Sequence, residues 1–166
     1  MEAIRKRRSI RKYQDREISR EAMEALLRSA MQAPSARNRQ PWEFLVIRDR
    51  EVLKKIPEYH PYSSMVPDAG AAVLVCGNTD LQEEPGYIAQ DCSAAIQNML
   101  LEAVQQGLGA VWLGVFPRKE RMEGMTELFK LPANVIPVAL ISIGYPAEDP
   151  EFQDRYIEEK VHRDSW

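Results

Sequence analysis

The 166-residue chain is 45% hydrophobic and 28% charged, with a formal net charge of −3. These values describe an ordinary globular protein, long enough to bury a core as one domain over residues 1–166, and they give no general attraction to nucleic acid. No apolar stretch reaches the roughly 18 residues of a membrane span, and the basic N-terminus lacks the apolar segment of a secretory signal, so the chain reads as cytoplasmic.

The first feature in chain order is Arg5-Lys6-Arg7-Arg8-Ser9-Ile10-Arg11-Lys12, in which six of eight residues are basic and none is acidic. Three explanations compete: a solvated charge run, a nucleic-acid patch, or a pocket in which guanidinium forks and the Ser9 hydroxyl hold a phosphate. From Ser19 the spacing predicts a helix. Ser19 can cap it, Glu21 suits its first turn, and Met23, Leu26, Leu27, Ala30 and Met31 share one face. Pro34 ends it. The segment Pro34 to Trp42 then reads as a stiff polar loop. It is either a surface connection or, through the amides of Asn38 and Gln40, a site for a flat ring with a polar edge.

Phe44 to Ile47 reads as a buried strand, and Val52, Leu53 and Ile56 as a short helix. Tyr59 to Pro67 is a loop or lid, with His60 an ordinary loop histidine, since no acid or nucleophile stands at a recognisable spacing from it. A second buried strand covers Ala71 to Cys76. The carboxylates Asp80, Glu83 and Glu84 belong to a solvated connection. The longest helix runs from about Tyr87 to Gln106 with apolar residues on more than one face, which predicts a helix nearly enclosed either in the core or against a second subunit, and Gly107 is placed to cap it. Cys76 and Cys92 lie in these apolar runs, as expected of reduced buried thiols rather than a disulfide or metal site.

Gly107 and Gly109 follow a helix and lead into a strand, the reverse of the order in a dinucleotide fingerprint. Gly114 lies inside that strand pattern and marks either a bulge or a close approach by a ligand or another chain. A further amphipathic helix carries Met122, Met125, Leu128 and Phe129, and Val135 to Ile143 forms the last core strand. The charged tail from Glu151 to Trp166 carries Phe152, Tyr156, Ile157, Val161 and Trp166, too many apolar anchors for a solvated tail.

Four motifs in order carry a family resemblance: Arg7-Arg8-Ser9-Ile10-Arg11; Pro34-Ser35 with Asn38-Arg39-Gln40-Pro41-Trp42; Asp91 to Asn98 leading to Gly107 to Gly114; and Ile143-Gly144-Tyr145-Pro146. Together they resemble the nitroreductase family of flavoproteins. The resemblance implies an α+β fold with a central mixed or antiparallel sheet flanked by helices, and an intertwined homodimer binding FMN at its interface. By the same resemblance, Arg7, Arg8, Ser9 and Arg11 would hold the FMN phosphate and the polar edge of the flavin, with Arg163 or Lys160 as a further basic ligand from the tail. Pro34, Ser35, Ala36 and Asn38 of the other subunit would line the ring, and Leu113, Gly114 and Val115 would lie along it with a backbone N–H toward N5.

The implied activity is ping-pong electron transfer from NADH or NADPH to a small-molecule acceptor such as a nitroaromatic or quinone, without nucleic-acid or membrane partners. No separate catalytic side chain is expected, because the flavin carries the redox chemistry. Tyr62, Met65 and Tyr87 border an acceptor side that the short Tyr59 to Pro67 and Thr79 to Tyr87 regions leave open. Alternatives are an FMN carrier, a dehalogenating or flavin-fragmenting relative of the same fold, and a non-catalytic nucleic-acid binder that uses Arg5 to Lys12.

Overall fold

The computed structural model describes residues 2–166. In chain order its elements are α1 (Glu2–Lys6), α2 (Arg20–Ala30), β1 (Trp42–Ile47), α3 (Arg50–Lys55), β2 (Ala71–Asn78), α4 (Pro85–Gln105), β3 (Gly109–Gly114), α5 (Lys119–Phe129) and β4 (Val135–Gly144). The strands pair antiparallel throughout in the order β1-β2-β4-β3. The architecture is therefore α+β around an antiparallel sheet.

Side chains along a strand alternate between faces, and here each face has its own core. Ala71, Val73 and Val75 of β2 join Met23, Leu26 and Ala30 of α2 and Ile88, Cys92, Ala95, Ile96 and Met99 of α4 on one side. Ala72, Leu74 and Cys76 meet Leu53 of α3, Met125 of α5 and the connecting residues Ile56 and Val66 on the other. Covering both faces explains why β2 reads as a continuous apolar run.

The helix ends follow from their sequences. The Ser19 side chain accepts a hydrogen bond from the Ala22 N–H, capping α2. At the end of α4, Gly107 takes φ +68°, Leu108 N–H donates to Ala103 O, and Gly107 N–H donates to Val104 O. That pattern satisfies two of the orphaned last-turn carbonyls and needs a left-handed residue in the glycine's place. Between β2 and β4 the register slips, with Val75 opposite Ala139 and Cys76 opposite Pro137. The proline, which cannot donate to a ladder, sits where the ladder is broken.

Two expectations are corrected. Helix α1 is absent from the sequence reading because five residues are too few to show a period. Strand β1 starts at Trp42 and is a half-exposed edge, with Leu45 37% exposed, rather than a buried strand. Apart from these corrections, helix α4 buries one broad face (Ile88, Cys92, Ala95, Ile96, Met99, Ala103) and leaves Gln90 and Gln97 exposed, so of the two expected coverings the core of one chain accounts for that face alone. In the single chain the tail's Phe152, Tyr156, Ile157, Val161 and Trp166 are exposed.

Candidate functional site

Strand β3 is an edge strand, and what covers its outer side defines the site. A parallel bridge joins Ser9 to Ala110, and the Ile10 N–H donates to Ala110 O at 3.1 Å. The basic run thus lies along the first half of β3. Its two interruptions anchor it: Ile10 is buried over Gly109, where a Cβ would stand 2.7 Å from three Ile10 atoms, and Tyr13 packs on Gly144, where a Cβ would come within 2.7 Å of the ring. The Tyr13 hydroxyl donates to Ile10 O or Ser142 O, at 2.7 and 3.2 Å.

With those anchors inward, the cations collect outside. Arg7 is half-buried, and burial, reinforced by the charges of Arg155 and Arg8, holds its guanidinium pKa below the ordinary value. Like charges held this close raise the positive potential around Arg7. Arg8 donates to Glu151 O at 3.0 Å and to Arg7 O at 2.6 Å, and lies over the Phe152 ring. Ser9 is exposed. The backbone N–H groups of Arg11 and Lys12 both donate to the Glu148 carboxylate, leaving the Arg11 side chain outward. Of the tail cations, Arg163 pairs with Glu158 at 3.1 Å and Lys160 stands exposed on a short 3-10 turn, whereas Arg155 acts on Arg7.

The far end of β3 is different. Val115 N–H donates to Val138 O, making those residues a hydrogen-bonded pair, so the adjacent Gly114–Ala139 pair is the non-bonded kind and both backbone groups of Gly114 point off the open edge. The Gly114 carbonyl accepts from His60 Nε2 at 2.9 Å and Arg121 Nη1 at 2.8 Å. Where a Gly114 side chain would stand there is nothing within 4 Å. Leu113 and Val115 on either side are buried in the core, so the strand end is held while its edge stays open. Ala110 and Gly114, four residues apart, place the cationic run and the open backbone about 13 Å from each other along one strand.

The Pro34–Trp42 loop is built under strain. Arg37, Asn38 and Gln40 all have positive φ, of 53°, 56° and 48°. Such conformations persist only where the surroundings over-determine them. Here Ser35 Oγ accepts from Gln40 N–H at 2.9 Å, Gln40 Nε2 donates to Asn38 Oδ1 at 2.9 Å, and the buried Asp91 of α4 accepts from Ala36 N–H at 2.9 Å. Pro34 is exposed at the entry.

The structure brings Arg7, Arg8, Ser9 and Arg11 together with Leu113, Gly114 and Val115 on one edge. It does not bring Pro34, Ser35, Ala36 and Asn38 to them: that loop feeds β1 on the opposite edge, about 14 Å away across three strand spacings. Sequence reasoning missed Arg121 and Arg155, read His60 as an ordinary loop residue, and named Asp91 only as part of a motif. His60 and Arg121 meet only in three dimensions, and Arg155 has the same character in sequence as Lys160 and Arg163. Tyr62 and Tyr87 are exposed, and Met65 is partly buried. Among the described residues no group of His, Cys, Asp and Glu is arranged to hold a metal, and no helix is long and apolar enough to cross a membrane.

Comparison with known proteins adds an independent line. The model of the Nitroreductase family matches residues 4–75 and 61–145. A protein of Methanothermobacter thermautotrophicus named "Putative NADH dehydrogenase/NAD(P)H nitroreductase" is 51% identical over 166 residues, covering 100% of this chain and 87% of its own. A solved structure from Clostridium acetobutylicum, named "Putative NADH Oxidase", superposes with a TM-score of 0.95 at 40% identity, covering 99% of each chain. An "FMN-dependent Nitroreductase" from Clostridium difficile superposes at 0.91 with 28% identity, covering 99% of this chain and 98% of that one.

Proposed function

The chain belongs to the nitroreductase family, and from that membership we propose that it is a homodimeric FMN enzyme passing electrons from NADH or NADPH, by a ping-pong mechanism, to nitroaromatic, quinone or related acceptors. At the coarser level it is an NAD(P)H-dependent flavin oxidoreductase. FMN, when bound, supplies the two-electron redox chemistry, and the protein's work is to bind and orient it.

The observation that carries the reading is Gly114: an edge-strand glycine with open space in place of a side chain and its N–H facing off the sheet, on the strand that the guanidinium-bearing N-terminal segment lies against. A flat ring can lie against backbone there, and an anionic arm can reach back to the cations. Arg7, Arg8, Ser9 and Arg11 would hold the phosphate and the polar flavin edge, joined by Arg155 or by Lys160 and Arg163 of the tail. Charge-assisted hydrogen bonds contribute roughly 1.5–3 kcal/mol each, so two or three hold FMN without a covalent link. Leu113, Gly114 and Val115 would line the ring.

Pro34, Ser35, Ala36 and Asn38 would come from a second copy of the chain. Their place on the sheet edge opposite Gly114 supports a site shared between subunits, as do the exposed apolar residues of the tail. Donor and acceptor would then use one open slot in turn.

The test is the visible spectrum of the purified protein, followed by anaerobic addition of NADH and of NADPH. Flavin bands that bleach on addition, with parallel double-reciprocal lines in steady-state kinetics, are expected. A protein that stays colourless after incubation with FMN sinks the cofactor reading. Intersecting lines remove the ping-pong order alone, and a monomer by sedimentation removes the shared site.

A further inference from the structure

We infer that His60 and Arg121 are positioning residues for the cofactor: by holding the Gly114 carbonyl from two sides they fix the strand end whose N–H faces the flavin. The inference rests on the FMN reading given above.

A glycine at a strand terminus is a poor place to orient anything. It has the widest choice of φ and ψ of any residue, and the adjoining peptides can swing with it. Beyond Gly114 the ladder also changes, since Val115 and Phe116 both donate to the same acceptor, Val138 O, beside the β4 bulge. The N–H of Gly114 therefore needs an external constraint, and the carbonyl of the same residue receives one.

The constraint comes from two elements that are remote in sequence. His60 lies in the loop after α3 and is 1% exposed. Its Nδ1 accepts from Tyr62 N–H at 3.3 Å, which fixes the tautomer: Nε2 carries the hydrogen and donates to Gly114 O. The loop in turn fixes the ring, because His60 N–H donates to Ile56 O while His60 O accepts from Ser63 N–H and Ser63 Oγ. Arg121 approaches from α5, donates to the same carbonyl, and has its guanidinium 5.2 Å from the centre of the Tyr62 ring.

Hydrogen-bond satisfaction alone does not require this. Gly114 is only half-buried, and a carbonyl at a half-open edge can be served by water. Two protein donors, one of them a desolvated imidazole, go beyond satisfying the oxygen and restrict its direction. The exposed Tyr62 ring beside Arg121 belongs to the same assembly, since the Tyr62 N–H also holds His60 Nδ1.

The experiment titrates apoprotein with FMN by fluorescence and measures the visible spectrum and reduction potential of the bound flavin in four proteins: wild type, Arg121→Met, His60→Leu and His60→Gln. Gln places an N–H near the position of Nε2 and serves as the conservative replacement. Loss of either donor is expected to weaken FMN binding about tenfold, equivalent to one lost hydrogen bond, and to shift spectrum and potential, with His60→Gln recovering most of the effect. If wild type binds FMN and Arg121→Met matches it in affinity, spectrum and potential, the inference is overturned. It is also overturned if His60→Gln is as impaired as His60→Leu. Should His60→Leu fail to fold, Arg121→Met decides, since Arg121 lies on a helix surface. A wild type that binds no FMN overturns the cofactor reading itself, an outcome visible before any variant is made.

Discussion

Gly109→Ala tests how the basic run is seated. An added Cβ would stand 2.7 Å from Cβ, Cγ1 and Cγ2 of Ile10, against an ordinary contact of 3.4 Å or more, so Ile10 must retreat by about 0.7 Å. The atoms met include Cβ itself, so a rotamer change does not relieve the contact and the backbone has to move. That retreat stretches the Ile10 N–H···Ala110 O bond from 3.1 Å to about 3.8 Å, beyond hydrogen-bonding range. Overpacking costs about 1–3 kcal/mol and the lost bond about 1 kcal/mol, which at this chain length lowers Tm by roughly 4–16 °C. Calorimetry of the glycine and alanine proteins reads this directly. The argument also fixes a coupling: in an Ile10→Ala background two of the three clashing atoms are gone, so Gly109→Ala should cost at least about 1 kcal/mol less there. A Tm within a degree of wild type, or an equal penalty in both backgrounds, would refute the claim that Ile10 is seated on Gly109.

Arg7→Ala should raise the Kd for FMN about ten- to a hundredfold in a fluorescence titration, and an unchanged Kd removes Arg7 from the phosphate site. Lys130 ends α5 in the left-handed region at φ 51°, so Lys130→Gly should raise the urea midpoint, a gain of roughly 0.5–1 kcal/mol; a lower midpoint would contradict it. Burial pushes the thiols of Cys76 and Cys92 up to about 12, so a thiol reagent at mildly alkaline pH should leave the native protein unmodified and react with both cysteines after denaturation. Burial holds His60 below its ordinary value of 6.5, so the unfolded chain takes up its proton first. The stability His60 contributes is therefore fully present above that value and is lost as pH falls below it, and His60→Gln should flatten the decline in urea midpoint between neutral and mildly acidic pH.

How much of this was legible depended on whether the signal was local. Helix α2 announced itself through Ser19 and a repeating apolar face, and Gly107 through its position after a long helix, because caps and periods act over a few residues. Strands β2 and β4 showed as apolar runs because both faces of the sheet are covered. Glycine roles were harder to read, since they depend on what lies across space. Gly114 attracted notice as a position of close approach, yet within one chain it is open, while Gly109 and Gly144 make the close contacts with Ile10 and Tyr13. His60 gave no signal at all: its partner is a backbone carbonyl 54 residues away, and a backbone atom has no letter in a sequence. Asp91 belongs to a motif of the resemblance, but its bond to Ala36 N–H does not follow from a spacing of 55 residues.

The edge of β3 ties these observations to function. An uncovered edge strand presents unpaired N–H and C=O groups and invites pairing with other chains, so proteins cover or blunt it. This chain covers the first half with its N-terminal segment, through the Ser9–Ala110 bridge, and ties the last carbonyl with His60 and Arg121. Gly114 N–H remains on the open side with clear space beside it. The covering segment is not neutral material: it is the most basic stretch of the chain, and Ile10 and Tyr13 turn inward so that its guanidinium groups stay outward. The same device that protects the edge therefore sets a group of cationic side chains a fixed distance along β3 from a free backbone donor. A charged replacement of Ile10 would uncover the edge and disperse the cations together, which predicts that aggregation and loss of FMN affinity appear in the same variant, whereas Arg7→Ala loses affinity alone.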